Sequence, residues 1–131
     1  MTGWDQKYTL YGLNNYTDII MSIIHELSAE EYEFDIKLIL TEGIANAFYH
    51  GNHGNEALPI YIRYNLHDRM VIFEIEDCGK KKEPFVIPDV MDDAALFQES
   101  NRGIFLMGCY ADKVEFQTGK LRIEKKLQAI L

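Results

Sequence analysis

Glu42 and Asn46 lie four residues apart in the segment from Leu40 to Gly51, which is otherwise rich in small and apolar residues. In an α-helix, residues i and i+4 share a face, so the carboxylate and the carboxamide would point in the same direction. A partly buried acid beside an amide suits catalysis or metal binding, and packing alone explains it poorly because an unpaired buried charge costs free energy. The pair is also compatible with a solvated acid and an incidental polar position, so its meaning depends on the other motifs.

A second candidate motif, Asp77-Cys78-Gly79, follows a predicted strand. A carboxylate there can accept a hydrogen bond from the exocyclic amine of adenine, whereas guanine carries a carbonyl at the same place. Glycine tolerates positive φ and lets a ring come close to the backbone. The same pattern is a common strand-ending turn, so alone it does not identify a purine site.

The third motif, Arg102-Gly103-Ile104, precedes the apolar spacing of a predicted helix. The free backbone N–H groups of a helix start can hold phosphates, and the helix dipole favours their negative charge. Gly103 would let the backbone come close to the phosphates, and Arg102 would add positive charge. An ordinary helix start is the alternative interpretation.

The spacing of the apolar residues predicts the elements that must position these motifs. The predicted elements are a strand at 5–13, helices at 16–28 and from 29 or 30 to 50, strands at 60–66 and 71–76, a helix at 102–112, and strands at 114–116 and 121–127. Gly51 is predicted to end the second helix as a C-terminal glycine. Residues 80–101 are predicted to form a loop. This order predicts an α+β two-layer sandwich, with helices on one face of a mixed, mainly antiparallel sheet.

Length and composition restrict the class of protein. With 131 residues, 47% of them hydrophobic, the chain is predicted to form a single domain over residues 1–131. The formal net charge of −8 disfavours nucleic-acid binding, which rewards a basic face, and is compatible with a basic protein partner. Because the sequence has no membrane-spanning apolar run, no signal-peptide pattern and no motif around Cys78 or Cys109, we expect a cytoplasmic protein with reduced thiols.

The motifs occur in the order Glu42-x3-Asn46-x3-His50-Gly51, Asp77-x-Gly79 and Arg102-Gly103-Ile104. This order resembles the N box and the two glycine boxes of the Bergerat-fold ATPases, the GHKL superfamily. The resemblance covers roughly residues 9–127. Within the superfamily, the chain looks most like the small bacterial serine kinases that act as anti-sigma factors.

The resemblance implies an ATP-dependent serine/threonine protein kinase that sequesters a sigma factor and phosphorylates an anti-anti-sigma protein with a STAS domain. It also implies ATP and Mg²⁺ as bound groups, and a homodimer formed through the first strand and helix. Glu42 would be the catalytic residue that orients the acceptor hydroxyl, and Asn46 would be the metal ligand. The implied nucleotide-binding residues are Asn46, His50, Gly51, Asp77, Gly79, Arg102, Gly103 and Ile104.

The chain departs from the family pattern at two positions. Lys81 stands where the first glycine box usually has a second glycine, and Asn101 stands where the second box prefers glycine. Both positions belong to the lid and phosphate side of the implied site, so a nucleotide-responsive binding module without phosphate transfer is one alternative. The ATP-binding lobe of a histidine kinase is another, and it would need a phospho-accepting helical hairpin before the first predicted helix. His50 and His53 could suggest a metal site, but no further histidine or cysteine lies near them in sequence.

Overall fold

The computed structural model describes residues 3–79, 99–117 and 119–127. Its strands are β1 (Gln6–Tyr11), β2 (Pro59–His67), β3 (Met70–Glu76), β4 (Lys113–Gln117) and β5 (Lys120–Lys126). Its helices are α1 (Tyr16–Glu26), α2 (Glu33–Asn46) and α3 (Glu99–Tyr110), with a 3₁₀ turn at Glu30–Tyr32 and a π-helical turn at Ala47–Gly51. The predicted loop that begins at Lys80, including Lys81, lies outside the described residues as far as residue 98.

The five strands form one sheet in the order β1-β2-β3-β5-β4, and all described neighbours pair in antiparallel fashion. Asp68 and Arg69 connect β2 to β3 with φ values of 48° and 67°, the left-handed conformation that suits a two-residue hairpin turn. The predicted α+β two-layer architecture is confirmed, with a sheet that is antiparallel throughout its described pairs.

The central strands separate an inner apolar face from an outer polar face, because successive side chains of a strand point in opposite directions. The buried residues of β2, β3 and β5 are Ile60, Ile62, Tyr64, Val71, Phe73, Ile75, Leu121 and Ile123. The helices cover this face with Ile20, Ile23, Ile24, Ile36, Ile39, Leu40, Ile44, Ile104 and Met107. Removing this apolar surface from water is the main force that holds the helical layer on the sheet.

The predicted second helix, from 29 or 30 to His50, is divided into three pieces in the structure. Its α-helical part runs only from Glu33 to Asn46, between the 3₁₀ turn and the π-helical turn. Before the 3₁₀ turn, Ser28 has a φ of 52°, which turns the chain sharply after α1. Sequence periodicity does not separate the pieces, because apolar residues recur through all three of them.

Helix α2 packs between α1 and α3 and lies close to β3. A Cβ atom at Gly43 would come within 2.5 Å of Ile75 Cδ1, so the absence of a side chain allows this close approach. The contact places Glu42 and Asn46, two of the polar residues of α2, near the carboxyl end of β3. The first candidate motif is thereby brought towards the second.

The uncovered face of the sheet carries paired charges. The guanidinium of Arg63 donates hydrogen bonds to Glu74 Oε1 at 2.8 Å and to Glu76 Oε1 at 2.7 Å. The strand register continues this row, because Glu74 is paired with Arg122, and Arg122 with Glu115.

Within the described ranges, no helix has both the length and the apolar character that crossing a membrane requires.

Candidate functional site

Helix α2 carries both members of the first candidate pair. Glu42 is half-buried, and Asn46, the last residue of the helix, is buried with 8% of its surface exposed. The predicted helical spacing of the pair is confirmed. Both polar side chains therefore lie one turn apart at the end of the helix that approaches β3 most closely.

The side-chain oxygen of Asn46 is the unusual atom of this site. Asn46 Oδ1 is buried and has no hydrogen-bond partner among the described residues. Leaving a buried acceptor unsatisfied costs about 1–3 kcal/mol, so such an atom in a folded protein calls for a specific explanation. An amide oxygen is a donor atom that Mg²⁺ accepts, and Mg²⁺ is usually held by few protein ligands together with phosphates and waters. The residue therefore fits the metal-ligand role that the sequence predicts.

Gly103 brings helix α3 against Glu42. A methyl group on Gly103 would overlap Glu42 Oε2, so only glycine leaves room for the carboxylate in its present position. Gly103 itself is buried in α3. The first and third motifs, which lie far apart in sequence, are therefore in contact in the fold.

The position of the third motif within its helix differs from the prediction. Helix α3 begins at Glu99, so Arg102 and Gly103 do not open it. The helix start predicted at Arg102 is therefore wrong in position, and the phosphate-binding role of Arg102 and Gly103 stays a prediction. The side chain of Ile104 is 3% exposed and packs in the core, while the side chain of Arg102 lies outside the described part of the structure.

The second motif holds its carboxylate with backbone contacts. Asp77 follows β3, and its N–H donates to the carbonyl of Gly119 at 2.9 Å. The N–H of Gly79 donates to Asp77 Oδ1 at 3.1 Å. A methyl group on Gly51 would overlap Asp77 Oδ2. The Asp77 carboxylate therefore lies between Gly51 and Gly79, which joins the first motif to the second.

Gly51 has a different role from the predicted helix-ending glycine. It is the last residue of the π-helical turn, and the positive φ values occur later, at His53 (53°) and Gly54 (73°). Its lack of a side chain makes room for Asp77 rather than for a left-handed backbone. Isolated π-helical turns occur frequently at functional sites, as this one does. His50 is exposed in the same turn.

Sequence reasoning missed Asn52, which is 1% exposed. Its Nδ2 donates to the carbonyls of Leu58 and Pro59, both at 3.2 Å, and its Oδ1 accepts from the N–H of Cys78 at 2.8 Å. The repeated His-Gly-Asn pattern at 50–55 reads as a polar loop in sequence. The sequence signal that could have indicated this role is that asparagine commonly hydrogen-bonds to loop backbone. Which of Asn52 and Asn55 is buried depends on the π-helical turn, which the sequence does not reveal.

Cys78 lies between the two functional residues of its motif. Burial, assisted by the negative charges of Glu76 and Asp77, raises the pKa of the Cys78 thiol. The thiol therefore stays protonated at neutral pH and is a poor nucleophile. This agrees with the lack of any sequence motif around Cys78.

The fold and these contacts define an α+β domain in which the three motifs meet, and comparison with known families gives the class of this domain. Residues 13–127 match the family described as the histidine kinase-like ATPase domain. The chain therefore belongs to this family, and the predicted membership of the GHKL superfamily is confirmed. The serine-kinase and anti-sigma subfamily stays a prediction.

A second comparison finds a distant similarity to the ClpXP adapter protein SpxH of Bacillus cereus. The identity is 26% over 113 residues, which cover 82% of this chain and 38% of that protein. The match thus spans well under half of the length of that relative.

Proposed function

We propose that this protein is an ATP-dependent serine/threonine protein kinase that binds Mg·ATP at the junction of the three motifs. The acceptor would be a serine of a STAS-domain anti-anti-sigma protein, and the same protein would bind and sequester a sigma factor. The histidine kinase-like ATPase family supports nucleotide binding. The resemblance to anti-sigma kinases supports the acceptor and the sigma-factor partner.

The observation that carries the proposal is the buried Asn46 Oδ1, which lies one helical turn from Glu42 and has no hydrogen-bond partner in the described part of the chain. In this proposal Asn46 is the protein ligand of Mg²⁺, which when bound neutralises charge on the phosphates. The remaining ligands would be phosphate oxygens and waters, in keeping with the preferences of Mg²⁺. A bound Mg²⁺ would thus satisfy Asn46 Oδ1, whose burial without a partner otherwise costs free energy.

Glu42 would act on the acceptor protein. Phosphoryl transfer needs a group that orients the attacking hydroxyl and accepts its proton, and a half-buried carboxylate beside the metal ligand suits this role. Gly103 keeps helix α3 close to the carboxylate without displacing it. Glu42 would therefore accept the serine proton as the serine oxygen bonds to the γ-phosphorus and the bond to ADP breaks.

Asp77 would select the base. Its Oδ1 is fixed by the N–H of Gly79, and its other oxygen lies against Gly51. A carboxylate can accept a hydrogen bond from the exocyclic amine of adenine, and it would face the carbonyl of guanine unfavourably. Arg102 would contribute charge to the phosphates, and His50 would line the cleft. These roles remain predictions.

The proposed homodimer would form through β1 and α1. In the described sheet, β1 has β2 as its single neighbour, so its outer edge is open to pairing. Tyr11 at the end of β1 is 55% exposed, and Met21 of α1 is 39% exposed. An open edge next to exposed apolar side chains suits a self-association surface. Light scattering at micromolar concentration tests it, and a monomer mass would contradict it.

A nucleotide-responsive switch without phosphate transfer is the second candidate function. The observation in its favour is the packing of Glu42 Oε2 against Gly103, which places the proposed base at a helix–helix contact. In such a protein, nucleotide binding would change affinity for a partner, and no phosphate would reach that partner.

Transfer of radioactive phosphate distinguishes the two functions. The protein is incubated with γ-labelled Mg·ATP and a STAS-domain protein encoded beside it or in the same genome, and label on serine is measured. We expect transfer by the wild type, a loss of at least about 100-fold in Glu42→Gln, and retained ADP affinity in that variant. Glu31→Gln, an exposed acid outside the site, is the matched control. Equal transfer by Glu42→Gln would remove Glu42 from catalysis, and ADP binding without any transfer would favour the switch.

A further inference from the structure

Asn52 is a buried amide that the proposed function does not yet use. With 1% of its surface exposed, it lies directly after the π-helical turn. Its backbone N–H donates to the carbonyl of Ala47 at 2.8 Å, which is the i→i−5 bond of that turn. The turn therefore directs the side chain of Asn52 inward, where both ends of the amide find partners.

The amide connects three segments of the site. Its Nδ2 donates to the carbonyls of Leu58 and Pro59, where β2 begins, and its Oδ1 accepts from the N–H of Cys78. Leu58 and Pro59 belong to the loop and strand that follow the first motif, whereas Cys78 belongs to the second motif. Asn52 is thus a hydrogen-bonded link between the start of β2 and the second motif.

The chain that carries Asp77 has left the sheet ladder at this point, so other groups must hold it. The N–H of Asp77 is bonded to the carbonyl of Gly119, and the N–H of Gly79 is bonded to the Asp77 side chain. Between them, the N–H of Cys78 is bonded to Asn52 Oδ1 at 2.8 Å. Of these three bonds, this one comes from a side chain outside the motif, and it fixes the peptide that follows Asp77.

The neighbouring contact shows why this peptide matters. Gly51, which precedes Asn52, lies against the Asp77 carboxylate, while Asn52 holds the Cys78 N–H. Gly51, the last residue of the first motif, and Asn52 directly after it therefore face two adjacent residues of the second motif. Because hydrogen bonds weaken steeply with poor angle, a small rotation at Asp77 would reduce its recognition of an amine.

We propose that Asn52 is a positioning residue that determines adenine specificity by orienting Asp77. This inference rests on the proposed nucleotide site. Asn52 does not touch the base itself in this proposal, since its side-chain groups are bonded to the protein backbone. Its effect passes through the Cys78 peptide to the carboxylate.

The test compares two nucleotides that differ in the group that Asp77 would recognise. ADP and purine riboside 5′-diphosphate, which lacks the exocyclic amine, are titrated into the full chain by calorimetry. The ratio of the two affinities is the readout. Partial unfolding lowers both apparent affinities equally and leaves the ratio unchanged, so a purely structural role of Asn52 would not alter it.

Three variants make the test selective. Asn52→Ala removes all three side-chain bonds, whereas Asn52→Asp keeps an acceptor for Cys78 and loses the donor to Leu58 and Pro59. Asn55→Ala is the matched control, because the side chain of Asn55 is exposed and its Oδ1 accepts from Ala57 in the same loop. If Asn52→Ala folds poorly, Asn52→Leu, which has a similar volume and shape but no hydrogen-bonding group, tests the loss of the Cys78 bond.

We expect Asn52→Ala to reduce the preference for ADP at least about fivefold, the size expected from weakening one hydrogen bond. Asn52→Asp should keep most of the preference, and Asn55→Ala should match the wild type. An unchanged ratio in Asn52→Ala, with ADP binding retained, would overturn the role of Asn52 and leave the proposed function intact. Failure of the wild type to bind ADP would overturn the proposed function together with this inference.

Discussion

Two polar clusters on the helix-covered side of the sheet satisfy their groups differently. At the end of α1, the carboxylate of Glu26 accepts hydrogen bonds from the hydroxyls of Tyr8 and Tyr64, the second at 2.6 Å. At the end of α2, Asn46 Oδ1 is buried without a partner in the described part of the chain. In the first cluster (Tyr8, Glu26 and Tyr64) the carboxylate is hydrogen-bonded within the protein, and we call it the closed cluster. In the second (Glu42 and Asn46) a buried acceptor has no partner among the described residues, and we call it the open cluster. Groups that only stabilise a fold are expected to be paired, so the open one marks the site.

After Glu42→Gln, the largest loss of phosphate transfer is expected from Gly103→Ala. The new methyl group would meet the far end of Glu42, a flexible side chain, so the carboxylate would move while the helices stay packed. We therefore expect phosphate transfer to fall at least about tenfold, as misplacement of a catalytic group does, with stability changed by about 1 kcal/mol or less. Transfer to the acceptor protein and denaturant unfolding measure the two quantities.

Gly108→Ala is the matched control, because no atom of the described residues lies within 4 Å of a Cβ atom at this position of the same helix. Alanine is a better helix former than glycine, so this variant should gain up to about 1 kcal/mol of stability and keep its activity. Equal losses of transfer in the two variants would show that the Glu42 contact is not the cause.

At the closed cluster, Glu26→Gln should lower stability without affecting nucleotide binding. Glutamine keeps the shape of glutamate but offers one neutral acceptor in place of a charged carboxylate, so we expect a loss of about 1 kcal/mol. ADP affinity should remain within about twofold of the wild type, because the cluster lies on other elements than the site. Glu31→Gln serves as control, and a large loss of ADP affinity in Glu26→Gln would show that the two clusters are coupled.

A smaller effect is expected at high pH. Burial, the hydrogen bond to Glu26 and the charge of Glu26 raise the pKa of Tyr8 from 10.0 to about 12, and the same causes raise the pKa of Tyr64. Below pH 10 both folded and unfolded states keep the phenol protons. Between pH 10 and 12 the unfolded chain loses its protons first, so stability falls as pH rises.

Tyr8→Phe removes one of these protons and should make the fall in unfolding free energy between pH 10 and 12 shallower. The measurement is urea unfolding at several pH values in this range. Tyr11→Phe, an exposed tyrosine of the same strand, should follow the wild type. Identical slopes for Tyr8→Phe and wild type would contradict the role assigned to the cluster.

The sequence was sufficient to predict the fold and the helix that carries the first motif, because both rest on periodicity. Alternation in β2 and β3 and the isoleucine spacing of α1 correctly predict strands and helix. The family resemblance of the ordered motifs is likewise confirmed. These features depend on residue types at regular spacing, which a single sequence displays directly.

Local backbone geometry around the site could not be predicted in the same way. The π-helical turn contains ordinary residues, so Gly51 was predicted to end a helix and Asn52 was not recognised as buried. Contacts such as Gly51 with Asp77 and Gly103 with Glu42 join residues that are distant in sequence. The role assigned to Arg102 stays a prediction, and the effect of the departure at Lys81 is untested, because both side chains lie outside the described residues.

Titration calorimetry of Mg·ATP into the wild type and Asn46→Ala tests the central claim most directly. We predict binding by the wild type, binding at least about tenfold weaker in the variant, and metal-free ADP affinity within about twofold. The variant should retain its stability to within about 1 kcal/mol, since it removes an unsatisfied buried acceptor. Equal Mg·ATP affinity in the two proteins would contradict a metal-binding role for Asn46, and with it the open cluster as the functional site.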